Sequence, residues 1–91
     1  MIIGNVVGNV WATRKNDSLT GLKLMIVQRL DVCRDEEKES FVAADLVGAG
    51  IGERVLVATG SAARQSAEIQ NALVDAAIIG IIDEVDVPGE N

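Results

Sequence analysis

The sequence predicts a mainly β protein whose single domain is a five-stranded, OB-like β-barrel with one short helix. Two observations carry this prediction. Five apolar runs of strand length follow one another along 91 residues, and glycines interrupt several of them, as is typical of the bends and bulges of small barrels. The length favours one domain, which we expect to cover residues 1–87, followed by a short tail at residues 88–91.

The first two strands are predicted from alternating apolar residues. Residues 2–13 read IIGNVVGNVWAT, and one alternating face holds Ile2, Gly4, Val6, Gly8 and Val10. Residues 14–21 are polar and rich in turn formers, which predicts a loop. In the second strand, residues 22–30, one face holds Leu22, Leu24, Ile26 and Leu30. The opposite face, from Lys23 to Arg29, has charges at its ends and apolar groups between them, and it suits either water or a subunit interface.

Charged and glycine-rich segments separate the next strands. Residues 31–39 read DVCRDEEKE and are predicted to be a solvated hairpin loop, followed by a third strand at residues 40–46. Gly48, Gly50 and Gly52 form a tight connection to a fourth strand at residues 53–59. Gly60 ends that strand, and Ser61 is the predicted N-cap of a short helix that begins at Ala62.

The fifth strand is predicted at residues 75–87, whose core AAIIGII does not alternate. A strand that is apolar on both sides is expected to be buried on both sides. We expect one side to belong to the barrel core and the other to be covered by a neighbouring subunit. The composition agrees, because 48% of the residues are hydrophobic and obligate subunit interfaces are apolar.

Charge and composition exclude several classes of partner and site. The net charge is −6, which argues against nucleic acid, whose phosphates require a basic surface, and against an anionic membrane surface. No apolar run approaches the roughly 20 residues of a membrane-spanning helix. The chain has no histidine and one cysteine, Cys33, so an intrachain disulfide and a cysteine-only metal site are excluded. No cofactor is expected.

The two glycine-rich motifs do not match a nucleotide-binding loop. GAGIG at residues 48–52 lacks the spacing of a dinucleotide fingerprint, and neither motif has the lysine of a P-loop; its glycines are predicted to supply positive φ angles or close backbone approach. Ser61 has no histidine to activate it, and Asp45, Glu53, Asp75 and Asp83 form no catalytic pair. The chain is therefore not expected to be an enzyme. Amide groups at the Gly60 turn leave an alternative function open, an OB-like module that binds a protein or a small anionic ligand.

Four stretches together resemble the EutN/CcmL family of pentameric vertex proteins of bacterial microcompartments. They are GNVWATRK with SLTGLKLMIVQ, then VAADLVGAGIGE, then VLVATGSAAR, and finally VDAAIIGIIDEV. The resemblance spans most of residues 2–85. It implies a homopentamer that caps the five-fold vertices of a cytoplasmic protein shell, whose facets are hexameric shell proteins and which encloses enzymes. It also implies that the chain is not catalytic. The net charge leads us to expect neither nucleic acid nor membrane as a partner.

Glycine turns allow backbones to crowd near an axis, which leads to a hypothesis about which residues form the contacts of such a ring. The loop with Gly48, Ala49, Gly50 and Gly52 and the turn with Gly60, Ser61, Ala62 and Ala63 are expected at or near the subunit contacts and the axis. The predicted interface strand contributes Ile78, Ile79, Ile81 and Ile82. Asp45 and Arg64 are expected to be interface or structural polar residues, and one hypothesis pairs them with each other.

Two departures from the family pattern lead to further expectations. Residues 69–74 lack the proline turn that family members often have, so the helix from Ala62 is free to run further. The tyrosine-rich C-terminal tail of carboxysome members is missing, which favours a catabolic microcompartment.

Overall fold

The fold is a closed five-stranded barrel in the computed structural model, which describes residues 1–85. The strands are β1 (Ile2–Val10), β2 (Leu24–Asp31), β3 (Glu36–Asp45), β4 (Arg54–Thr59) and β5 (Ala76–Ile81), and helix α1 (Gly60–Ala63) connects β4 to β5. A 3-10 turn covers Asp17–Leu19. The strand order around the barrel is β1-β2-β3-β5-β4, and every neighbouring pair is antiparallel except β3 and β5. The predicted barrel with one short helix is confirmed.

The barrel interior is filled mainly by small aliphatic side chains. Valine suits strands because its branched side chain packs well on a pleated surface. The buried cluster consists of Val6, Met25, Val27, Ala43, Ala49, Val55, Val57, Ala76 and Ile78, with Ile2 and Phe41 packed against it. Eight of these nine residues lie on strands, whereas Ala49 enters the core from the loop between β3 and β4.

A second apolar cluster lies outside the barrel wall at one end. It consists of Ala44, Ala58, Ala63, Ile69, Ala72 and Ala77, with Leu19, Leu22, Leu24, Leu46 and Val74 partly buried against it. Three of the wall positions are alanine, whose short side chain lets the segment after α1 approach the strands closely. Residues 64–73 are a succession of turns, and Ile69 is their fully buried anchor.

The structure corrects the prediction for the two faces of β2. Met25 and Val27 are buried in the barrel core, so the face from Lys23 to Arg29 points inward and offers no apolar interface. Leu24 and Ile26 lie on the outer face instead, where Leu24 joins the second cluster. The face with more apolar residues in the sequence, that of Leu24 and Ile26, is thus the outer one, so the apolar pattern of this strand alone does not identify the inward face.

Several element boundaries were also predicted wrongly. β2 ends at Asp31 and β3 begins at Glu36, so the predicted hairpin loop at residues 31–39 is shortened to residues 32–35. Helix α1 begins at Gly60 with Thr59 as its N-cap, and no side chain caps it, so Ser61 is a helix residue and not the cap. The helix ends at Ala63 and does not run on. β5 ends at Ile81, so residues 82–85 of the predicted fifth strand are not strand, and β1 ends at Val10 and not at residue 13. The last predicted residues of the fifth strand, 86–87, and the tail at 88–91 lie outside the described residues.

Candidate subunit-contact surface

The segment between β3 and β4, residues 46–53, is here called the glycine loop, and side chains at both ends fix its shape. The Oδ1 atom of Asp45 accepts hydrogen bonds from the backbone N–H groups of Val47 and Gly48, each at 3.0 Å. The Oε1 atom of Glu53 accepts one from the N–H of Gly50 at 2.6 Å. Gly48 and Gly52 have φ angles of 80° and 93°, as the sequence predicted for glycines in this loop.

The glycine loop is attached to the barrel on two sides. The N–H of Gly52 donates to the carbonyl of Val6 at 2.8 Å, and the N–H of Val6 donates to the carbonyl of Glu53 at 2.9 Å. Ala49 fills part of the core, whereas Val47 and Ile51 are exposed large apolar residues. The loop therefore presents apolar side chains to the outside from a fixed backbone.

Asp45 is a structural polar residue, but its cationic partner is Lys23 and not Arg64. Lys23 Nζ lies 3.8 Å from Asp45 Oδ2, and the Asp45 side chain is almost completely buried. Lys23 Nζ also donates to the carbonyl of Ala49 at 3.4 Å. Within residues 1–85, Arg64 forms no ion pair and is exposed, so Asp45 and Arg64 do not pair within the chain.

The Gly60 turn does not offer a free amide at its first residue. The N–H of Gly60 donates to the carbonyl of Asp75 at 2.8 Å, and the helix is only four residues long. Gly60 has a φ angle of 59°. Ser61 and Ala62 are exposed, while Ala63 is buried in the second cluster. The geometry therefore gives no support to anion binding at Gly60.

The predicted interface strand divides into buried and accessible residues. Ile78 is fully buried in the barrel core, so it has no side-chain surface to give to a neighbouring chain; the same holds for Ala49 and Ala63. Ile79 and Ile81 are partly exposed large apolar residues. Ile82 follows the strand, and its N–H donates to the carbonyl of Arg54 at 2.8 Å.

The β2–β3 hairpin carries most of the ion pairs of the described chain. Arg29 and Glu39 are 3.2 Å apart, and Lys38 and Glu36 are 2.9 Å apart. The hydrogen bond and the negative charge of Glu36 raise the pKa of Lys38. The pKa of Glu39 is lowered by a hydrogen bond from its own backbone amide and then by Arg29. These side chains are solvated, and they make the hairpin a charged surface and not a catalytic centre.

Sequence reasoning missed several exposed apolar residues, among them Val7, Trp11 and Val42. Trp11 is 89% exposed and borders a small groove of about 200 Å³ with Leu22 and Leu24. The only sequence signal was their apolar character within or beside strands, which does not distinguish core from surface. In residues 1–85 no three His, Cys, Asp or Glu residues are grouped as metal ligands, and none of the helices there has the length and apolarity to span a membrane.

Comparison with known proteins shows similarity over nearly the whole chain. The profile of the family described as "Ethanolamine utilisation protein EutN/carboxysome" matches residues 1–83. The chain is 45% identical over 86 residues to the microcompartment shell vertex protein GrpN of Rhodospirillum rubrum, covering 94% of this chain and 97% of GrpN. It is 48% identical over 87 residues to the carboxysome shell vertex protein CcmL of Synechococcus elongatus, covering 96% of this chain and 88% of CcmL.

The fold is likewise similar to a solved structure. The structure of the GrpN pentameric microcompartment shell protein from Rhodospirillum rubrum superposes with a TM-score of 0.83 at 44% identity, covering 96% of this chain and all of that one.

Proposed function

The chain belongs to the EutN/CcmL family, and from this premise we propose that five copies form a ring that caps the five-fold vertices of a bacterial microcompartment. The role is structural and not enzymatic. The observation that carries this function is the near full-length similarity to shell vertex proteins, one of which is described as pentameric. The exposed apolar residues on a rigid small barrel are consistent with such a role.

The proposal includes partners beyond the ring. A vertex protein closes a shell only if the sides of its pentamer fit the neighbouring tiles, and we expect these to be hexameric shell proteins. The protein then resides in the cytoplasm, in the shell that surrounds the enclosed enzymes. A net charge of −6 supports partners other than nucleic acid or anionic membranes. The expectation of a catabolic microcompartment stays a prediction.

The glycine loop and the Gly60 turn are proposed to lie at or near the subunit contacts. Gly50 suits a test because its φ angle is not positive and a Cβ atom there would stand 3.4 Å from Glu53 Oε1, an ordinary contact. Ala62 is exposed. Gly50→Arg and Ala62→Arg should therefore leave the monomer folded and impair ring assembly. An unchanged pentamer in both variants would refute this placement.

Native mass spectrometry of the purified chain at low micromolar concentration tests the function. A dominant pentamer is the expected species, because a cyclic contact that closes leaves no open ends. A stable monomer would contradict the vertex role and favour the alternative binding module. Co-expression with a hexameric shell protein then tests the partner: closed shells should form with the chain and remain open or incomplete without it.

A further inference from the structure

Two β-bulges of similar composition interrupt the barrel on different walls. In β1 the register shifts between Val6 and Gly8, so Val7 and Gly8 together oppose Ile26 of β2. In β5 the register shifts so that Ile79 and Gly80 together oppose Leu56 of β4. Each bulge is thus an aliphatic residue followed by glycine. Bulges are features that re-aim side chains rather than defects, so the repetition calls for a physical reason.

The first bulge belongs to an apolar area that we call the β2–β3 patch. Gly8 pairs with Ile26, and Ile26 pairs with Val42, so the three form one row across β1, β2 and β3. A Cβ atom on Gly8 would stand 3.5 Å from Ile26 Cδ1, which places the Ile26 side chain over the glycine. Val7 is 50% exposed and Val42 is 45% exposed. The patch consists of Val7, Gly8, Ile26 and Val42.

The second bulge belongs to what we call the β4–β5 patch. Ile3 pairs with Leu56, and Leu56 pairs with Gly80, which again forms a row across three strands. A Cβ atom on Gly80 would stand 3.8 Å from the Cβ of Leu56. Ile79 at the bulge is 37% exposed. The patch consists of Ile3, Leu56, Ile79 and Gly80.

Both patches have the same borders. On one side each meets a polar pair, Gln28 with Ser40 for the first and Asn5 with Arg54 for the second. On the other side each meets alanines of the wall, Ala44 or Ala58, that the second apolar cluster covers. Neither patch contains a charged residue. Each patch is therefore the exposed part of an apolar outer sheet face, and the second apolar cluster covers the adjoining part of that face.

We infer that the β2–β3 patch of one subunit packs against the β4–β5 patch of the next subunit in the ring. This inference rests on the proposed homopentamer and names its two contacting surfaces. A ring requires a heterologous contact, in which two different areas of the same chain meet. The strand order puts the patches on different walls, because β2 and β3 are followed around the barrel by β5 and β4. A single foreign partner accounts for one patch, whereas a ring of identical subunits accounts for both.

The area of the chain allows two such contacts. A stable interface buries roughly 800 Å² on each partner, so two contacts use about a quarter of the 5894 Å² of accessible surface. The patches are the apolar centres of these contacts, where fully buried side chains contribute most of the binding energy. Because the glycine at each bulge has no side chain, nothing protrudes from the outer sheet surface at that position beside Ile26 or Leu56. The sheet of a neighbouring subunit is therefore able to approach closely.

A mixing experiment with two charge variants tests the inference. Val42→Glu and Ile79→Glu each place a carboxylate in one patch at a position that is partly exposed in the monomer, and both variants should fold but lose the pentamer. Mixed in equal amounts, they should form a heterodimer, since the intact β4–β5 patch of the first meets the intact β2–β3 patch of the second. The dimer cannot close, because both remaining patches carry glutamate. Leu73→Glu, at an exposed apolar position outside both patches, should keep the pentamer.

The outcomes separate this inference from the proposed function. If the unmodified chain is a pentamer but either charge variant remains one, or if the folded variants give no heterodimer on mixing, the assignment of the two patches is wrong. If the unmodified chain is not a pentamer, the proposed function fails first. Far-UV circular dichroism checks that the variants are folded.

Cross-linking provides a second readout that needs no destabilising charge. In a Cys33→Ser background, a chain with both Val42→Cys and Ile79→Cys should give a ladder up to five subunits with a short bifunctional thiol reagent. Each single-cysteine chain should give no ladder, because the thiol introduced at position 42 meets the one at position 79 of the next subunit and not its own counterpart. A ladder from either single-cysteine chain, or none from the double variant, overturns the pairing.

Discussion

Gly4 of β1 lies so close to Val27 of β2 that no side chain fits between them. A Cβ atom built on Gly4 would stand 2.5 Å from Val27 Cγ1 and 2.7 Å from the carbonyl oxygen of Gln28. Both residues are buried, and Val27 belongs to the barrel core. The glycine is therefore required by the close approach of two strands.

Gly4→Ala should destabilise the fold, because the added methyl group meets backbone as well as side chain and neither is able to move freely. We expect a loss of about 1–3 kcal/mol in the free energy of unfolding, the range for an overpacked core. Urea denaturation at one protein concentration measures it. Gly8→Ala is the matched control on the same strand, since its nearest contact within the chain is 3.5 Å. Both alanine variants are compared in the Ile79→Glu background, in which the proposed subunit contact at Gly8 is not formed. Equal losses in the two variants would contradict the packing argument.

The sequence predicted the barrel because its five strands have distinct apolar runs, but it did not predict which face of β2 points inward. Met25 and Val27 are core residues and Leu24 and Ile26 are not, yet all four are apolar. The alternation of β1 was misleading as well: Val6 and Gly8 were placed on one face, but the bulge at Val7 shifts the register, so that Val6 pairs with the core residue Val27 and Gly8 with Ile26 of the outer face. Such a shift is a property of two paired strands, and alternation along one strand does not report it.

The charged start of β3 and the partner of Asp45 were missed for similar reasons. Residues 36–40 are exposed, so they form a strand by pairing with β2 and leave no apolar pattern. Asp45 meets Lys23 because the backbone N–H of Asp45 donates to the carbonyl of Lys23 at 2.8 Å, which brings positions 22 residues apart in sequence together. The glycines of residues 48–52, by contrast, were predictable, because positive φ is a local requirement.

The three glycines of the glycine loop should respond differently to alanine. Gly48 and Gly52 have positive φ angles, where an L-residue is strained by roughly 1–2 kcal/mol. Gly50 does not, and its nearest contact is 3.4 Å. Thermal unfolding should therefore show a lower Tm for Gly48→Ala and Gly52→Ala, while Gly50→Ala stays close to the unmodified protein. If Gly50→Ala lowers the Tm as much as Gly48→Ala does, then steric contact, and not the backbone φ angle, is the reason for glycine in this loop.

Replacement of Asp45 should open the glycine loop. Its buried carboxylate accepts from the N–H groups of Val47 and Gly48, and hydrogen bonds to a charged group contribute about 1.5–3 kcal/mol. Asp45→Ala is expected to lose stability in that range, whereas Asp45→Asn keeps an acceptor oxygen and should lose less. Lys23→Met should cost at most about 1 kcal/mol, because Lys23 is largely exposed and its pair is screened. Urea denaturation ranks the three variants, and a larger loss for Lys23→Met than for Asp45→Ala would refute this order.

The carboxyl group of Glu39 should titrate below its ordinary value of 4.5. Its own backbone amide is the largest cause of the lowered pKa and Arg29 the next, so Arg29→Gln should raise the pKa only in part. A carboxyl group whose pKa is lower in the folded than in the unfolded state stabilises the fold at pH values above its unfolded-state pKa. This contribution disappears as the pH falls through the folded-state pKa. Because the group is fully exposed, global stability should hardly change. NMR titration of the glutamate side chains measures the shift, and a complete return to 4.5 in Arg29→Gln would assign it to the ion pair.

Ile69 should be the residue on which the attachment of the segment after α1 depends. It is fully buried in the second cluster, although residues 64–73 contain no regular helix or strand. Two backbone hydrogen bonds between residues three apart hold the turn around it. The N–H of Ile69 donates to the carbonyl of Ser66 at 3.2 Å, and the N–H of Ala72 donates to the carbonyl of Ile69 at 3.0 Å. The burial of its side chain therefore has to supply most of the free energy that orders these turns.

Ile69→Ala is expected to lower the free energy of unfolding by about 2–4 kcal/mol, since it removes a buried aliphatic side chain and leaves a cavity. For a domain of this size that corresponds to a fall in Tm of more than about 10 °C. Leu73→Ala is the matched control in the same segment: its side chain is 69% exposed, so the loss should stay within about 0.5 kcal/mol. Hydrogen exchange adds a local readout, because the N–H of Ala72 should lose protection in Ile69→Ala while core amides such as that of Val57 are affected less. If Ala72 exchanges no faster than before, the turns are held by their backbone bonds and not by Ile69.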